Sequence, residues 1–226
     1  VSMRVMGLKL SETRPLSSAR IWFTFCMAKA FSSMALPCLP MKFSPWKIPA
    51  LSAVKVPPGT YLTDYLTDEA IRLIGSRNKD RPFFLNLCHY AVHTPIQAPA
   101  DLVVKYEAKS RKMDLDKVET VKAGDFFPMH HKKMERIQRR LVQSHPVYAA
   151  MIENFDTNIG RLMRALDDAG LRENTIVIFT SDNGGLATSE GAPTCNSPLA
   201  EGKGWMYEGG TRVPLIIRWP GMTLSG

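Results

Sequence analysis

The sequence predicts an α/β protein built on a mostly parallel sheet flanked by helices. Three observations carry that prediction. Thr175-Ile176-Val177-Ile178-Phe179-Thr180 is an unbroken, β-branched apolar run, the pattern of a strand buried on both faces rather than of a half-wet hairpin. Arg81-Pro82-Phe83-Phe84-Leu85-Asn86-Leu87-Cys88 is a second such run, and each stops abruptly at polar, turn-forming residues. Helical patterns separate the two, so they are expected to lie side by side as parallel neighbours. In such sheets ligands sit outside the carboxyl ends of the strands.

Composition narrows the class. The chain has 226 residues, 45% apolar and 22% charged, which suits one good core or at most two small ones. The net charge of +8 resembles a nucleic-acid signature, but residues 1–58 hold eight of the basic residues and a single acid, Glu12. The remainder is close to neutral, so no nucleic-acid partner is expected. That first quarter is rich in Pro, Ser and Met and shows no clean period. It is expected to be a poorly structured or non-native leader (1–58) ahead of the folded part (59–226). A signal peptide is the minority alternative, with small residues near Ser32-Ser33-Met34-Ala35 as its cleavage site. Its longest apolar run, about 21–31, includes Lys29 and falls short of the ~20 residues of a membrane span.

From Thr60 the pattern becomes regular. Leu62, Leu66, Ala70, Leu73 and Ile74 fall on one helical face; Thr60 or Thr63 can cap the start, Asp64 suits the first turn and Gly75 the exit. Residues 101–112 predict a short helix with Leu102, Val103 and Tyr106 inward. In residues 113–144 the basic cluster Lys132, Lys133, Arg136, Arg139 and Arg140 is expected to be a solvated helix face, and His130-His131 has no partner at metal-binding spacing. Pro146 opens a long helix whose inward stripe is Val147, Ala150, Met151, Phe155, Ile159, Leu162 and Leu166, with Gly170 at its exit; Asp167-Asp168 is an exposed face, not a metal site.

The chemistry-bearing residues follow the two strand ends. Ser181-Asp182-Asn183-Gly184-Gly185 places a carboxylate and a carboxamide on a loop whose glycines let the backbone turn and approach a ligand. Hard oxygen ligands suit calcium or magnesium. Gly202-Lys203-Gly204 sets an ammonium between glycines, where it can approach an anion uncrowded. After the other strand, His89 is expected to be structural. The Gly- and Pro-punctuated loop 186–196 is expected to cover the site. Cys26, Cys38, Cys88 and Cys195 form no Cys-x-x-Cys, so neither zinc nor a disulfide framework is indicated.

Three ordered motifs give the chain a specific resemblance: Ser181-Asp182-Asn183-Gly184, then Gly202-Lys203-Gly204-Trp205-Met206-Tyr207-Glu208-Gly209-Gly210-Thr211-Arg212, then an apolar strand ending in Trp219-Pro220-Gly221. In this it is similar to the sulfatases, whose His-x-Pro segment matches His93-Thr94-Pro95. The resemblance implies a partial sulfatase-type catalytic domain, its carboxyl-terminal portion, with Asp182 and Asn183 as ligands of calcium (or magnesium) and Lys203 and His93 as catalytic, sulfate-contacting residues. It implies a sulfated small molecule or glycan as partner, and relatives that are commonly exported. It also implies a formylglycine made from cysteine in Cys-x-Pro-x-Arg. Here Cys38-Leu39-Pro40-Met41-Lys42 has lysine in place of the arginine and is read as chance. Without that cysteine and the family's first carboxylate pair, the chain alone is expected to be inactive. The alternatives are a metal-dependent phosphatase or phosphonate hydrolase using Thr63 or Ser181, and a non-enzymatic binder of sulfated glycans.

Overall fold

The computed structural model describes residues 4–6, 21–27, 58–127 and 130–223. A five-stranded sheet runs in the order β1 (Arg4–Met6), β3 (Phe84–His89), β2 (Ile21–Met27), β6 (Thr175–Thr180), β7 (Leu215–Arg218). The three middle strands are parallel and the two edge strands antiparallel to their neighbours.

The expected adjacency of the two apolar runs is therefore corrected. β2 lies between them, Phe23 facing Leu85 on one side and Val177 on the other. The physical reason is length: seven aromatic, β-branched and apolar residues are too short to span a membrane but match a central strand. The cleavage-site reading at Ser32-Ser33-Met34-Ala35 and the Cys38 segment lie outside the described residues.

Helices α1 (Leu62–Gly75) and α3 (Pro146–Asp168) pack on one face of the sheet. Leu66, Ala70 and Ile74 meet Leu162 and Leu166 over Leu85, Leu87 and Val177 to form the main core. β3 alternates buried and half-buried residues, so among the described residues it is fully covered on one face rather than two. α1 starts one residue beyond Tyr61, without the side-chain cap expected from Thr60 or Thr63. Thr63 instead faces the core and Leu62 is exposed. Asp64 does sit in the first turn, where it accepts hydrogen bonds from the Nδ2 groups of Asn154 (3.0 Å) and Asn158 (2.6 Å) and so ties α1 to α3. α2 (Ala100–Lys112) packs along α3 with Leu102, Val103 and Tyr106 only half-buried.

The basic segment is not a helix. Its residues form one 3₁₀ turn and an antiparallel hairpin, β4 (Val121–Phe126) with β5 (Arg136–Arg140). Tertiary anchors override local spacing here. Ile137 is fully buried, and Gly124 leaves it room that a Cβ would fill. Arg139 pairs with Glu201, while Arg140 Nε donates to the carbonyl of Ala192. α3 opens as expected at Pro146, with His145 as cap: its Nδ1 accepts the N–H of Tyr148 at 3.2 Å. Gly170 leaves the helix at φ 68°, a conformation glycine adopts without strain.

Candidate active site

The loops after β3 and β6 meet at one edge of the sheet. There a pocket is lined by Tyr90, His93, Tyr148, Asp182, Asn183 and Lys203, with the backbone of residues 184–186 completing its wall. All four residues selected from the sequence, His93, Lys203, Asp182 and Asn183, line this single pocket.

The loop that carries Asp182 and Asn183 is locked from behind. Ser181 Oγ donates to Asn183 O at 2.7 Å, and Gly184 N donates to Gly210 O at 3.0 Å. A Cβ on Gly184 would overlap the carbonyl of Gly209, and one on Gly209 would overlap the carbonyls of Ala200 and Glu201. Both glycines are thus required by backbone-to-backbone approach. Helix α4 (Glu208–Thr211) carries this contact. The sequence did not disclose what holds the two loops together: Asn196 Nδ2 donates to the carbonyls of Gly185 (2.8 Å), Glu201 (2.9 Å) and Gly209 (3.2 Å). Gly185 O also accepts Lys203 N at 3.0 Å, which aims the lysine back into the pocket.

His93 and Lys203 are in direct contact. Lys203 Nζ lies 2.6 Å from His93 Nε2, and His93 Nδ1 lies 3.0 Å from the carbonyl of Thr94. A carbonyl only accepts, so Nδ1 carries the proton and the bare Nε2 accepts from the ammonium. Tyr90 leans on the imidazole, centroids 5.2 Å apart. Desolvation pushes the Asp182 carboxyl up, against the pull of its own backbone hydrogen bond and of the Lys203 charge.

Asn183 Nδ2 donates to Gly184 O at 3.0 Å, which leaves Oδ1 free of hydrogen bonds among the described residues. Asp182 and Asn183 thus offer two adjacent hard oxygens, which fits part of the ~6 to 8 that calcium takes. No cluster of three or more His, Cys, Asp or Glu among the described residues supplies the others.

His89 is buried with neither ring nitrogen partnered among the described residues, edge-on to Phe155 at 5.0 Å. Ser181 Oγ is committed to its own loop and Thr63 lies in the core on α1. Loop 186–196 is partly core: Leu186, Ala187 and Thr188 are buried, and Gln143 bonds both Thr194 and Cys195. Cys88 and Cys195 are free thiols. The sequence reading overlooked Tyr148, which sits in the first turn of α3 and lines the pocket; its place outside the inward stripe was the available signal.

A sheet with parallel central strands gathers an acid, an amide, a histidine and a lysine at its strand ends, where such sheets bind ligands. Comparison with known proteins gives the family. The family model described as Sulfatase matches residues 28–225, and the chain belongs to the sulfatase family. It is 39% identical over 171 residues to a sulfatase of Formosa agariphila, covering 72% of this chain and 25% of that protein. It is 31% identical over 190 residues to mouse iduronate 2-sulfatase, covering 74% and 32%. The chain thus spans about a quarter to a third of the length of these relatives. The crystal structure of Ps i-CgsB shares the fold at TM-score 0.54 and 24% identity, over 89% of this chain and 45% of that one.

Proposed function

We propose that the pocket binds the sulfate group of a sulfate ester, as the carboxyl-terminal portion of a sulfatase catalytic centre. The observation that carries this reading is the Lys203–His93 contact in the same pocket as Asp182 and Asn183. An ammonium held by a neutral imidazole is a fixed cation for sulfate oxygens. Hydrolysis gives the alcohol and hydrogen sulfate, and the leaving alkoxide needs a proton. Lys203 and His93 share one across 2.6 Å, so His93 Nε2, once protonated, is placed to deliver it.

Asp182 and Asn183 would hold calcium or magnesium, together with ligands from elsewhere. When bound, such a cation neutralises charge on the sulfate oxygens. A sugar sulfate is the favoured substrate class, supported by the relative whose name specifies a sulfated iduronate. The 226-residue chain has no Cys-x-Pro-x-Arg cysteine to supply the formylglycine nucleophile of the family. It therefore binds sulfate esters without turning them over. Neither Ser181 nor Thr63 favours phosphate-ester chemistry, since the first is committed to its loop and the second is buried away from the pocket.

The test is a titration of the purified chain with 4-nitrophenyl sulfate in calcium buffer, followed by NMR at the amides of residues 183–185 and 202–204. Saturable shifts are expected there, and Lys203→Ala should weaken binding at least tenfold. Shifts that ignore Lys203→Ala would refute the sulfate site. Release of nitrophenolate above background would refute the absence of turnover.

A further inference from the structure

Loop 186–196 reverses at a turn over residues 189–192, where the N–H of Ala192 donates to the carbonyl of Ser189 at 2.8 Å. Both central residues of the turn have positive φ, 50° at Glu190 and 87° at Gly191. Glycine, asparagine and aspartate suit the first of these positions; a glutamate there is strained, and the turn itself gives no reason for it. The tip is held from both sides. Ala187 O accepts Arg140 N at 3.1 Å, Ala192 O accepts Arg140 Nε, and Gln143 bonds Thr194 and Cys195.

From that tip Glu190 reaches a residue 96 positions away: Thr94 Oγ1 donates to Glu190 Oε2 at 3.3 Å. Thr94 Oγ1 also lies 3.2 Å from His93 Nδ1, whose proton it shares with the carbonyl of Thr94. A hydroxyl has one proton and two lone pairs. With its proton on the carboxylate, Thr94 Oγ1 can only accept from His93, so Nδ1 keeps its hydrogen and Nε2 stays bare for the ammonium of Lys203. Without Glu190 the hydroxyl is free to rotate and donate to Nδ1. That favours the other tautomer, whose Nε2–H faces the N–H groups of Lys203, donor against donor. Neither Glu190 nor Thr94 lines the pocket, so both act through the imidazole.

We propose that Glu190 is a positioning residue of this site: through Thr94 it fixes the His93 tautomer that holds Lys203 on the sulfate. The consequence for ligand rests on the sulfate-ester reading of the pocket; the chain of carboxylate, hydroxyl, imidazole and ammonium does not. The covering loop thereby takes part in binding, because moving its tip releases the imidazole.

Long-range ¹H–¹⁵N spectra of the full chain at neutral pH read the His93 ring nitrogens directly, and titration with 4-nitrophenyl sulfate in calcium buffer reads the consequence. The wild type should carry its ring proton on Nδ1. Glu190→Gly and Thr94→Val should each bring in the Nε2–H tautomer and weaken binding about three- to tenfold, the worth of one hydrogen bond. The double variant should bind no more weakly than either single one, because both cut the same chain. Glu190→Gln, which keeps an acceptor oxygen and removes the charge, should keep the wild-type tautomer and bind within about twofold of the wild type. Glycine suits the backbone at φ 50°, so the urea midpoint of Glu190→Gly should not fall. The proposal is overturned if Glu190→Gly and Thr94→Val leave the ring nitrogens as they were, or if Glu190→Gly and Glu190→Gln both bind the probe more tightly, the mark of simple charge repulsion. It is equally overturned if the midpoint of Glu190→Gly falls in step with affinity, the mark of a loop brace. Failure of the sulfate reading looks different: Lys203→Ala leaves 4-nitrophenyl sulfate binding intact while Glu190→Gly still changes the tautomer, and the positioning role stands.

Discussion

His89 shows how much one side chain can impose on the fold. It is buried at the end of β3, and its two ring nitrogens find no hydrogen-bond partner among the described residues. Burial lowers its pKa from the ordinary 6.5 to about 4. Between those values the unfolded chain binds a proton that the folded chain refuses, so this residue's effect is a stability that falls as pH drops from about 6.5 to about 4 and then levels off. A shift of that size corresponds to about 3 kcal/mol. Its = N– and N–H groups make no hydrogen bond that a leucine would lose, so His89→Leu should cost little at pH 7. Urea midpoints at pH 7, 5.5 and 4 check this. The wild type should lose about 3 kcal/mol more than the variant across the range, and parallel curves would exclude a buried neutral imidazole.

At the scale of elements, the site depends on loops that do not touch the ligand. Asn196 bridges three carbonyls from the Asp182 loop and the Lys203 loop through one amide nitrogen. Asn196→Ala should therefore lower stability by about 2 kcal/mol through unsatisfied carbonyls, and weaken binding of 4-nitrophenyl sulfate several-fold although residue 196 does not line that pocket. Isothermal titration beside a urea melt would measure both. A loss of stability with affinity intact would mean that Lys203 is aimed by something else. Asp182, Asn183, Lys203 and His93 were legible because each sits in a short local pattern at a strand end or between glycines. Asn196 was not, because its partners come from two other stretches of chain. The hairpin β4–β5 was misread for the same reason: its basic residues have helical spacing, but buried Ile137 and the Arg139–Glu201 pair, 62 residues apart in sequence, decide its form. α1 and α3 were legible almost to their ends because their stripes are long and their exits are marked by glycine.

For the whole molecule, the decisive feature is the place of β2. Local composition in residues 1–58 gives no period and eight of the chain's basic residues, which is why the sequence favoured a leader outside the fold. Yet Ile21–Met27 is hydrogen-bonded on both sides, to β3 and to β6. Without it, the two strands that carry the His93 and Asp182 loops have no partner between them, and two unpaired edges open in the middle of the sheet. A chain of residues 59–226 should therefore show no cooperative urea transition and no shifts with 4-nitrophenyl sulfate. Charge alone would confuse that outcome, because removing residues 1–58 takes the net charge from +8 to about +1 and lowers solubility. Thr24→Pro in the full-length chain keeps the charge while deleting a ladder N–H in mid-strand. It should lower stability by about 3 kcal/mol or more, measured as a loss of the urea midpoint relative to wild type. If the shortened chain and Thr24→Pro both unfold at the wild-type midpoint, the sheet does not need β2, and the site is held by β3 and β6 alone.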